Sequence, residues 1–196
     1  GYSATYNSKI ARKEYYAPFA YPAALYLQKA LTTAKSQGYN FIIYDTYRPR
    51  PVEELVYKNY MALYNNNKSI QNAINRNGYG IGWFMTTGAS KHSQGIALDM
   101  GLTDSNGNVL AAQTAYGVLD TRATVTYNNA NANKLKSIMT SVKDSTIIKN
   151  GNYTACSNTS THGTNDVFYS LKSEWWHFDL RCTKYNSNQY ESFYIR

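Results

Sequence analysis

The chain is short of several features, and each shortage excludes a class of protein. No apolar run approaches the ~20 residues of a membrane-spanning helix, and no repeat or Pro/Gly/Ser-rich linker divides the 196 residues. The two cysteines lack the C-x-x-C spacing of a cysteine-based metal site. No helix-turn-helix, zinc-finger or RNP pattern occurs, which argues against a specific nucleic-acid reader. We therefore expect one globular domain over residues 1–196.

Acidic residues are also scarce, with 12 against 20 basic residues and a net charge of +8. A basic surface suits a polyanionic partner such as nucleic acid or a teichoic-acid-bearing cell wall. A basic surface that only aids solubility explains the charge equally well. The first residue is Gly rather than Met, so we expect a trimmed product from which any signal peptide has been removed.

The chain has only three histidines, and two of them lie in short stretches rich in other reactive groups. The stretches are Tyr44-Asp-Thr-Tyr-Arg-Pro49, Ser90-Lys-His-Ser-Gln-Gly-Ile-Ala-Leu-Asp99 and Glu174-Trp-Trp-His177. Their imidazoles, carboxylates and guanidinium are sufficient to hold a Zn²⁺ ion with an open coordination position, to activate a water and to stabilise an oxyanion. The third histidine, His162, is expected to lie in a loop, because a fourth protein ligand would close the site.

The apolar pattern predicts an α+β domain. Helical spacing occurs over 22–34, 51–64 and 130–143, with Gly38 ending the first helix, and 65–82 reads as a short helix plus loop. Strand patterns occur at 39–47, 95–102, 166–170, 173–180 and 189–195. We expect a central antiparallel sheet to carry the site and helices to pack mainly from the N-terminal half. The apolar face of the second helix comprises Val52, Leu55, Val56, Tyr60 and Leu63.

The spacing within the stretches indicates how the groups meet. His92 and Asp99 are seven residues apart, so we place His92 in the loop entering a strand, Asp99 within the strand, and Gly95 at the bend between them. Glu174 and His177 are three apart, which fits a division of labour in which His177 binds the metal and Glu174 acts as the base. The simpler alternative is that both residues have only a structural role, at a core edge lined by tryptophan. Arg48 after a strand is often only a surface residue.

The three stretches together resemble the D-Ala-D-Ala dipeptidase family of zinc peptidases, the VanX type involved in glycopeptide resistance. That family carries Asp-x-Tyr-Arg-Pro, Ser-x-His-x-x-Gly-x-Ala-x-Asp and Glu-x-Trp-His segments, and all three occur here in order within residues 20–180. Related carboxypeptidases of the VanY type and the hedgehog signalling domain share the scaffold. The doubled Trp175-Trp176 resembles the dipeptidase branch.

The resemblance implies one Zn²⁺ per chain and a role for each matching residue. By it, Glu174 is the catalytic base and Arg48 stabilises the transition state. The implied metal ligands are His92, Asp99 and His177. The implied substrate contacts are Ser90, Tyr47, Trp176 and Asp120. Asp120 is the nearest match to a family Asp that binds the free amine of the dipeptide, although the residues around it match poorly.

Three functional hypotheses follow from the resemblance. The first is a secreted or cell-wall-associated zinc D,D-dipeptidase acting on D-Ala-D-Ala, and the second is a D,D-carboxypeptidase that trims peptidoglycan pentapeptide stems. The third, a non-catalytic zinc-bearing binding domain, is disfavoured because Glu174 and Arg48 are both present. Cys156 and Cys182 flank the last stretch and form either a disulfide or two free thiols.

Overall fold

The computed structural model describes residues 17–19, 21–76, 80–83, 85, 90–142 and 167–180. These residues form helices and strands that alternate irregularly along the chain. The helices are α1 (Tyr21–Ser36), α2 (Arg50–Asn66), α3 (Lys68–Ile74) and α4 (Ala130–Thr140). The strands are β1 (Tyr39–Asp45), β2 (Ala97–Asp104), β3 (Phe168–Ser170) and β4 (His177–Leu180). None of the described helices has the length and apolar character needed to cross a membrane.

The four strands form one sheet in the order β1-β2-β4-β3, and every neighbouring pair is antiparallel. Successive side chains of a strand point to opposite faces of a sheet. In β2, Leu98, Met100 and Leu102 point to one face and are fully or almost fully buried, while Asp99 points to the other. The α+β class and the antiparallel sheet are confirmed.

Helices α1 and α4 cover the apolar face of the sheet. α4 contacts β2, β3 and α1, and α1 also contacts β1. The α4 helix begins where the Asn129 side chain accepts hydrogen bonds from the amides of Asn131 and Ala132, which satisfies backbone donors that have no partner within the helix. Gly38, with φ +81°, follows α1 in a left-handed conformation that glycine adopts without steric cost. The predicted stop at Gly38 is therefore confirmed.

Helix α2 does not bury the apolar face that its sequence pattern predicts. The side chains of Val52, Leu55 and Leu63 are 38%, 56% and 55% exposed, so the expected apolar face does not enter the core. The one residue of α2 classed as buried is the charged Glu53. The helix itself is correctly predicted, because Pro51 falls in its first turn, where no backbone N–H is needed. Which face is buried depends on tertiary contacts that periodicity does not contain.

The strand predicted over 173–180 is shorter in the structure, where only His177–Leu180 is β4. The amide of Trp175 donates to the carbonyl of Ala123, 2.9 Å away, rather than to a neighbouring strand. Residues 174–176 form a turn that leads into β4. The strand predicted over 189–195, the cysteines Cys156 and Cys182, and His162 lie outside the described residues.

Candidate active site

A row of polar side chains crosses the face of the sheet opposite to α1 and α4. In the strand pairing, Asp99 of β2 lies directly opposite Asp45 of β1 on one side and directly opposite His177 of β4 on the other. Directly paired residues project to the same face of a sheet with Cβ atoms about 5 Å apart. The backbone register therefore places Asp45, Asp99 and His177 side by side.

His92 reaches this row from the turn that precedes β2. The turn covers residues 91–95, and Gly95 has φ +69°, a conformation that favours glycine. The His92 carbonyl accepts hydrogen bonds from the amides of Gly95 (2.9 Å) and Arg48 (3.2 Å). The placement of His92 in a turn and of Asp99 within the strand agrees with the sequence-based expectation. Ile96 and Leu98 are fully buried on the opposite side.

Three ligand-type atoms converge where His92 meets the row. His92 Nε2 lies 3.3 Å from Asp99 Oδ1 and 3.2 Å from His177 Nδ1, and the last two atoms are 2.9 Å apart. Donors on one tetrahedral ion at about 2.0–2.1 Å would be roughly 3.3–3.4 Å from one another. All three residues are buried. The triangle therefore has the size and the chemistry of a metal site with two nitrogen donors and one oxygen donor.

Each imidazole of this cluster uses its second nitrogen for a further hydrogen bond. His92 Nδ1 lies 2.6 Å from the carbonyl oxygen of Thr46, and His177 Nε2 lies 3.0 Å from Asp179 Oδ1. Such partners fix the ring orientation and the tautomer of a metal-binding histidine. His92 Nε2 and His177 Nδ1 are therefore the nitrogens that face the common point.

Burial and mutual charge set the protonation of the cluster. Burial raises the pKa of Asp99, but hydrogen bonds from His177 and His92 outweigh it and hold that pKa below its ordinary value. Burial lowers the pKa of His177, yet the carboxylates of Asp179 and Asp99 raise it well above the usual range. Imidazole must be neutral to bind a metal, so an ion held by His177 would displace its proton.

Glu174 lies in the turn before β4, at the edge of the cluster. Its Oε2 is 3.9 Å from His177 Nδ1, and the residue is 7% exposed. Burial raises the pKa of Glu174 to about 7, against a lowering by His177. A carboxyl group with this pKa can both accept and donate a proton near neutral pH. The turn, rather than an irregular strand, allows Glu174 and His177 to approach the same point.

Arg48 follows β1 and is held by two carboxylates. Its Nε and Nη2 donate to Asp45 Oδ2 at 2.9 and 2.6 Å, and its Nη1 donates to Glu53 Oε2 at 2.9 Å. Nη2 is also 4.0 Å from Asp99 Oδ2. Burial lowers the pKa of Arg48, but Asp45 and Glu53 raise it above its ordinary value. The side chain is thus a permanent cation beside the cluster of His92, Asp99 and His177.

Ser90 shares a buried carboxylate with Arg48. The Ser90 hydroxyl donates to Glu53 Oε2 at 3.2 Å and accepts from the Ser93 amide at 3.1 Å. Tyr47 is half-buried and immediately precedes Arg48. Glu53 therefore joins two of the predicted site residues, Arg48 and Ser90, through one buried carboxylate.

Trp176 does not have the position expected of a substrate contact. The residue is 1% exposed and packs edge-on against the rings of Tyr116 and Trp175, with centroids 5.6 and 5.3 Å away. The structure therefore places Trp176 in the core, and its expected role as a substrate contact stays a prediction. Trp176 lies in the turn immediately before β4.

Asp120 is engaged by a neighbouring arginine. Its Oδ1 accepts from the Arg122 amide at 2.8 Å, and its Oδ2 lies 2.6 Å from Arg122 Nη2. The hydrogen bond from Arg122 lowers the pKa of Asp120. Among the contacts of the described residues, none joins Asp120 to His92, Asp99 or His177. The carboxylate caps the turn at Thr121–Ala123, and its expected role in binding an amine stays a prediction.

Three residues of the site were not identified from the sequence: Glu53, Tyr116 and Asp179. Asp179 is two residues from His177, which places both on one face of a strand, so that spacing alone was a usable signal. Glu53 carried the weaker signal of an acidic residue in the first turn of a helix. Tyr116 donates to Asp99 Oδ2 at 3.1 Å, and no local pattern marks it.

Several known proteins are similar to this chain. D-alanyl-D-alanine dipeptidase of Escherichia coli is 23% identical over 154 residues, which cover 79% of this chain and 62% of that protein. The vancomycin resistance D,D-pentapeptidase VanY in complex with Zn(II) is 15% identical, with a TM-score of 0.42 and coverage of 96% and 87% of the two chains. The D,D-dipeptidase VanXYg in complex with a D-Ala-D-Ala phosphinate analogue is 12% identical, with a TM-score of 0.44 and coverage of 89% and 59%.

The family is decided by a match along nearly the whole chain. The family model described as D-Ala-D-Ala dipeptidase matches residues 20–195, a range that contains all three sequence stretches and every strand of the sheet. Because that match extends far beyond the few residues of the cluster, the chain belongs to the D-Ala-D-Ala dipeptidase family of peptidases.

Proposed function

We propose that this protein is a zinc-dependent D,D-peptidase that hydrolyses the D-Ala-D-Ala bond. The observation that carries the proposal is the convergence of His92 Nε2, Asp99 Oδ1 and His177 Nδ1 within 3.3 Å of one another, with Glu174 buried beside them. Two imidazoles and one carboxylate leave the fourth position of a tetrahedral Zn²⁺ open, as catalytic zinc sites require. Membership of the D-Ala-D-Ala dipeptidase family supports the choice of bond.

His92, Asp99 and His177 are proposed to hold one Zn²⁺ per chain. When bound, zinc supplies Lewis acidity that polarises a carbonyl and lowers the pKa of a water molecule. The protein supplies buried, oriented donors whose outer hydrogen bonds to Thr46 and Asp179 hold the rings in place.

Glu174 is proposed to be the general base and acid. It would take a proton from the attacking water and deliver it to the leaving amine, which requires a pKa close to the working pH. Burial raises the pKa of Glu174 to about 7, which meets that requirement. Its Oε2 is 3.9 Å from His177 Nδ1, so the carboxyl group lies beside the cluster without being one of its closest ligand atoms.

Arg48 is proposed to stabilise the negative charge that develops on the carbonyl oxygen. A fixed cation in a buried site acts strongly on such a charge because little water screens it. Asp45 and Glu53 hold three of the N–H donors of Arg48, which fixes the direction of the remaining ones. Ser90, which is linked to Arg48 through Glu53, and Tyr47, which precedes Arg48 in the chain, are proposed substrate contacts.

A D,D-carboxypeptidase acting on peptidoglycan pentapeptide stems is the second candidate. The observation that favours it is the pairing of Asp120 with Arg122 at 2.6 Å, which neutralises the carboxylate that a free dipeptide amine would need. A longer stem has no free amine at that position. The two candidates share the same chemistry and differ only in what lies beyond the scissile bond.

The cellular setting is proposed from the substrate and the charge. Peptidoglycan stems are found at the cell wall, so we propose a secreted or cell-wall-associated protein. The net charge of +8 would favour contact with a polyanionic wall through long-range attraction. Retention of the protein on isolated walls should then weaken as the salt concentration rises.

Release of D-alanine from D-Ala-D-Ala and from a muramyl pentapeptide, each with and without a chelator, tests the proposal. Turnover of the dipeptide that stops on chelation and returns with added Zn²⁺ supports the dipeptidase, and turnover of the pentapeptide alone supports the carboxypeptidase. Activity that persists after complete metal removal would contradict the zinc mechanism. Tight zinc binding without turnover of either substrate would instead indicate the non-catalytic binding domain.

A further inference from the structure

Asp99 has two carboxylate oxygens that face different partners. Oδ1 lies 2.9 Å from His177 Nδ1 and 3.3 Å from His92 Nε2, so it is the oxygen that belongs to the metal cluster. Oδ2 accepts a hydrogen bond from the Tyr116 hydroxyl at 3.1 Å. Arg48 Nη2 is 4.0 Å from Oδ2, too far for a hydrogen bond. Among the described residues, Tyr116 is thus the one hydrogen-bond donor to that oxygen.

Tyr116 reaches Asp99 from a segment that has no strand or helix of its own, between β2 and the turn at Thr121–Ala123. Its ring is stacked on Tyr44, with centroids 4.6 Å apart and an angle of 14° between the planes. On another side it meets Trp176 edge-on, with centroids 5.6 Å apart. Tyr44 is next to Asp45 and Trp176 is next to His177, so the two aromatic contacts tie the hydroxyl to both ends of the polar row.

A carboxylate can bind a metal through one oxygen or through both. If both oxygens of Asp99 were bound, the ion would gain a fourth protein donor atom, and the position that water or substrate needs would be lost. A hydrogen bond to Oδ2 competes directly with that second metal–oxygen bond. A carboxylate accepts hydrogen bonds only, so the Tyr116 hydroxyl is the donor in this contact.

We propose that Tyr116 is a positioning residue that keeps Asp99 bound through Oδ1 alone and thereby preserves the open coordination position. This inference rests on the proposed metal site and adds to it a residue outside the three sequence stretches. Tyr116 is 39% exposed and its ring contacts are retained by phenylalanine. The substitution Tyr116→Phe therefore removes the hydroxyl while preserving the stack and the fold.

Competition with a chromogenic chelator measures the zinc affinity of the wild type and of Tyr116→Phe without any need for turnover. We expect Asp99 of the variant to bind the ion through both oxygens. Loss of an outer hydrogen bond to a ligand changes metal affinity by roughly 10- to 100-fold, so the zinc affinity of the variant should also differ from that of the wild type. The Co²⁺-loaded protein reports the coordination directly, since its visible bands weaken and shift when a further oxygen binds.

The matched control is Tyr64→Phe, which removes another tyrosine hydroxyl, hydrogen-bonded to Asn75 at 3.0 Å, from a place outside the cluster. Its zinc affinity and Co²⁺ spectrum should equal those of the wild type. If the Co²⁺ spectrum of Tyr116→Phe matches that of the wild type, the positioning role is overturned while the proposed zinc peptidase stands. If the wild type itself does not bind zinc, the proposed function fails and the inference fails with it.

Discussion

Helices α2 and α4 are both amphipathic in sequence, yet they contribute to the protein in different ways. The α4 helix buries Ala132, Leu135, Ile138 and Met139 against the sheet and α1. The α2 helix is longer, and the one residue of it classed as buried is Glu53, whose carboxylate binds Arg48 and Ser90. One helix therefore stabilises the sheet through apolar contact, and the other delivers a charged group to the site.

The two faces of the sheet explain this difference. The face beneath α4 is apolar, so burial there is favourable in proportion to the area removed from water. The opposite face carries Asp45, Asp99 and His177, and burying such polar groups is costly unless they are hydrogen-bonded or paired. We expect substitutions in α4 to lower stability and substitutions at the buried end of α2 to lower activity.

The largest effect is expected at Glu174, on the polar face. Glu174→Ala should retain the metal, because Glu174 is not one of the three converging residues, and should lower kcat by about 10²- to 10⁴-fold through loss of proton transfer. Steady-state kinetics together with the zinc content of the purified protein check this. Retained turnover would exclude Glu174 as the base, and loss of zinc would show that it is a ligand.

On the apolar face, Leu135→Ala in α4 should lower the free energy of unfolding by about 2–5 kcal/mol, because it leaves a cavity among fully buried neighbours. Urea unfolding followed by circular dichroism measures this change. At temperatures where the variant is folded, its kcat should stay close to that of the wild type. A large fall in kcat with unchanged stability would contradict the division between the two helices.

Glu53→Gln should lower kcat/KM by roughly 10- to 100-fold, since a hydrogen bond to a charged group contributes about 1.5–3 kcal/mol. The amide keeps the shape of the side chain but loses the charge that orients Arg48. The matched control is Glu54→Gln on the same helix, because Glu54 pairs with Arg50 at 3.3 Å in an exposed position. Equal kcat/KM values for the two variants would show that Glu53 has no part in orienting Arg48.

The smallest effect is expected for Leu55→Ala in α2, the same substitution as in α4 but at a side chain that is 56% exposed. Surface changes of this kind usually alter the free energy of unfolding by less than about 0.5 kcal/mol. The urea midpoint of Leu55→Ala should therefore match that of the wild type. A loss as large as that of Leu135→Ala would mean that the face of α2 containing Leu55 is covered in the folded protein.

Local patterns were sufficient for most of the elements. Pro51 in the first helical turn and Gly38 after α1 mark boundaries through their own backbone preferences, and the alternation through Leu98, Asp99 and Met100 determines which side chains share a face. The pattern failed for the outer face of α2, where apolar spacing indicated burial. Periodicity shows that a helix has two faces, but it does not show whether another element covers either of them.

Some residues of the candidate site could be found from the sequence, and others only from the fold. Local sequence was sufficient to identify the reactive groups in the three stretches, which are His92, Asp99, Glu174, His177 and Arg48. Their residue types are sufficient for zinc peptidase chemistry, and the stretches also indicate the family. Only the folded chain shows that Tyr116 and Glu53 contact the site residues, and that Trp176 is buried in the core. Tyr116 lies 17 residues from Asp99, and Glu53 lies 37 residues from Ser90. Contacts over such separations depend on how the chain folds back across the sheet, and no local preference of a residue contains that information.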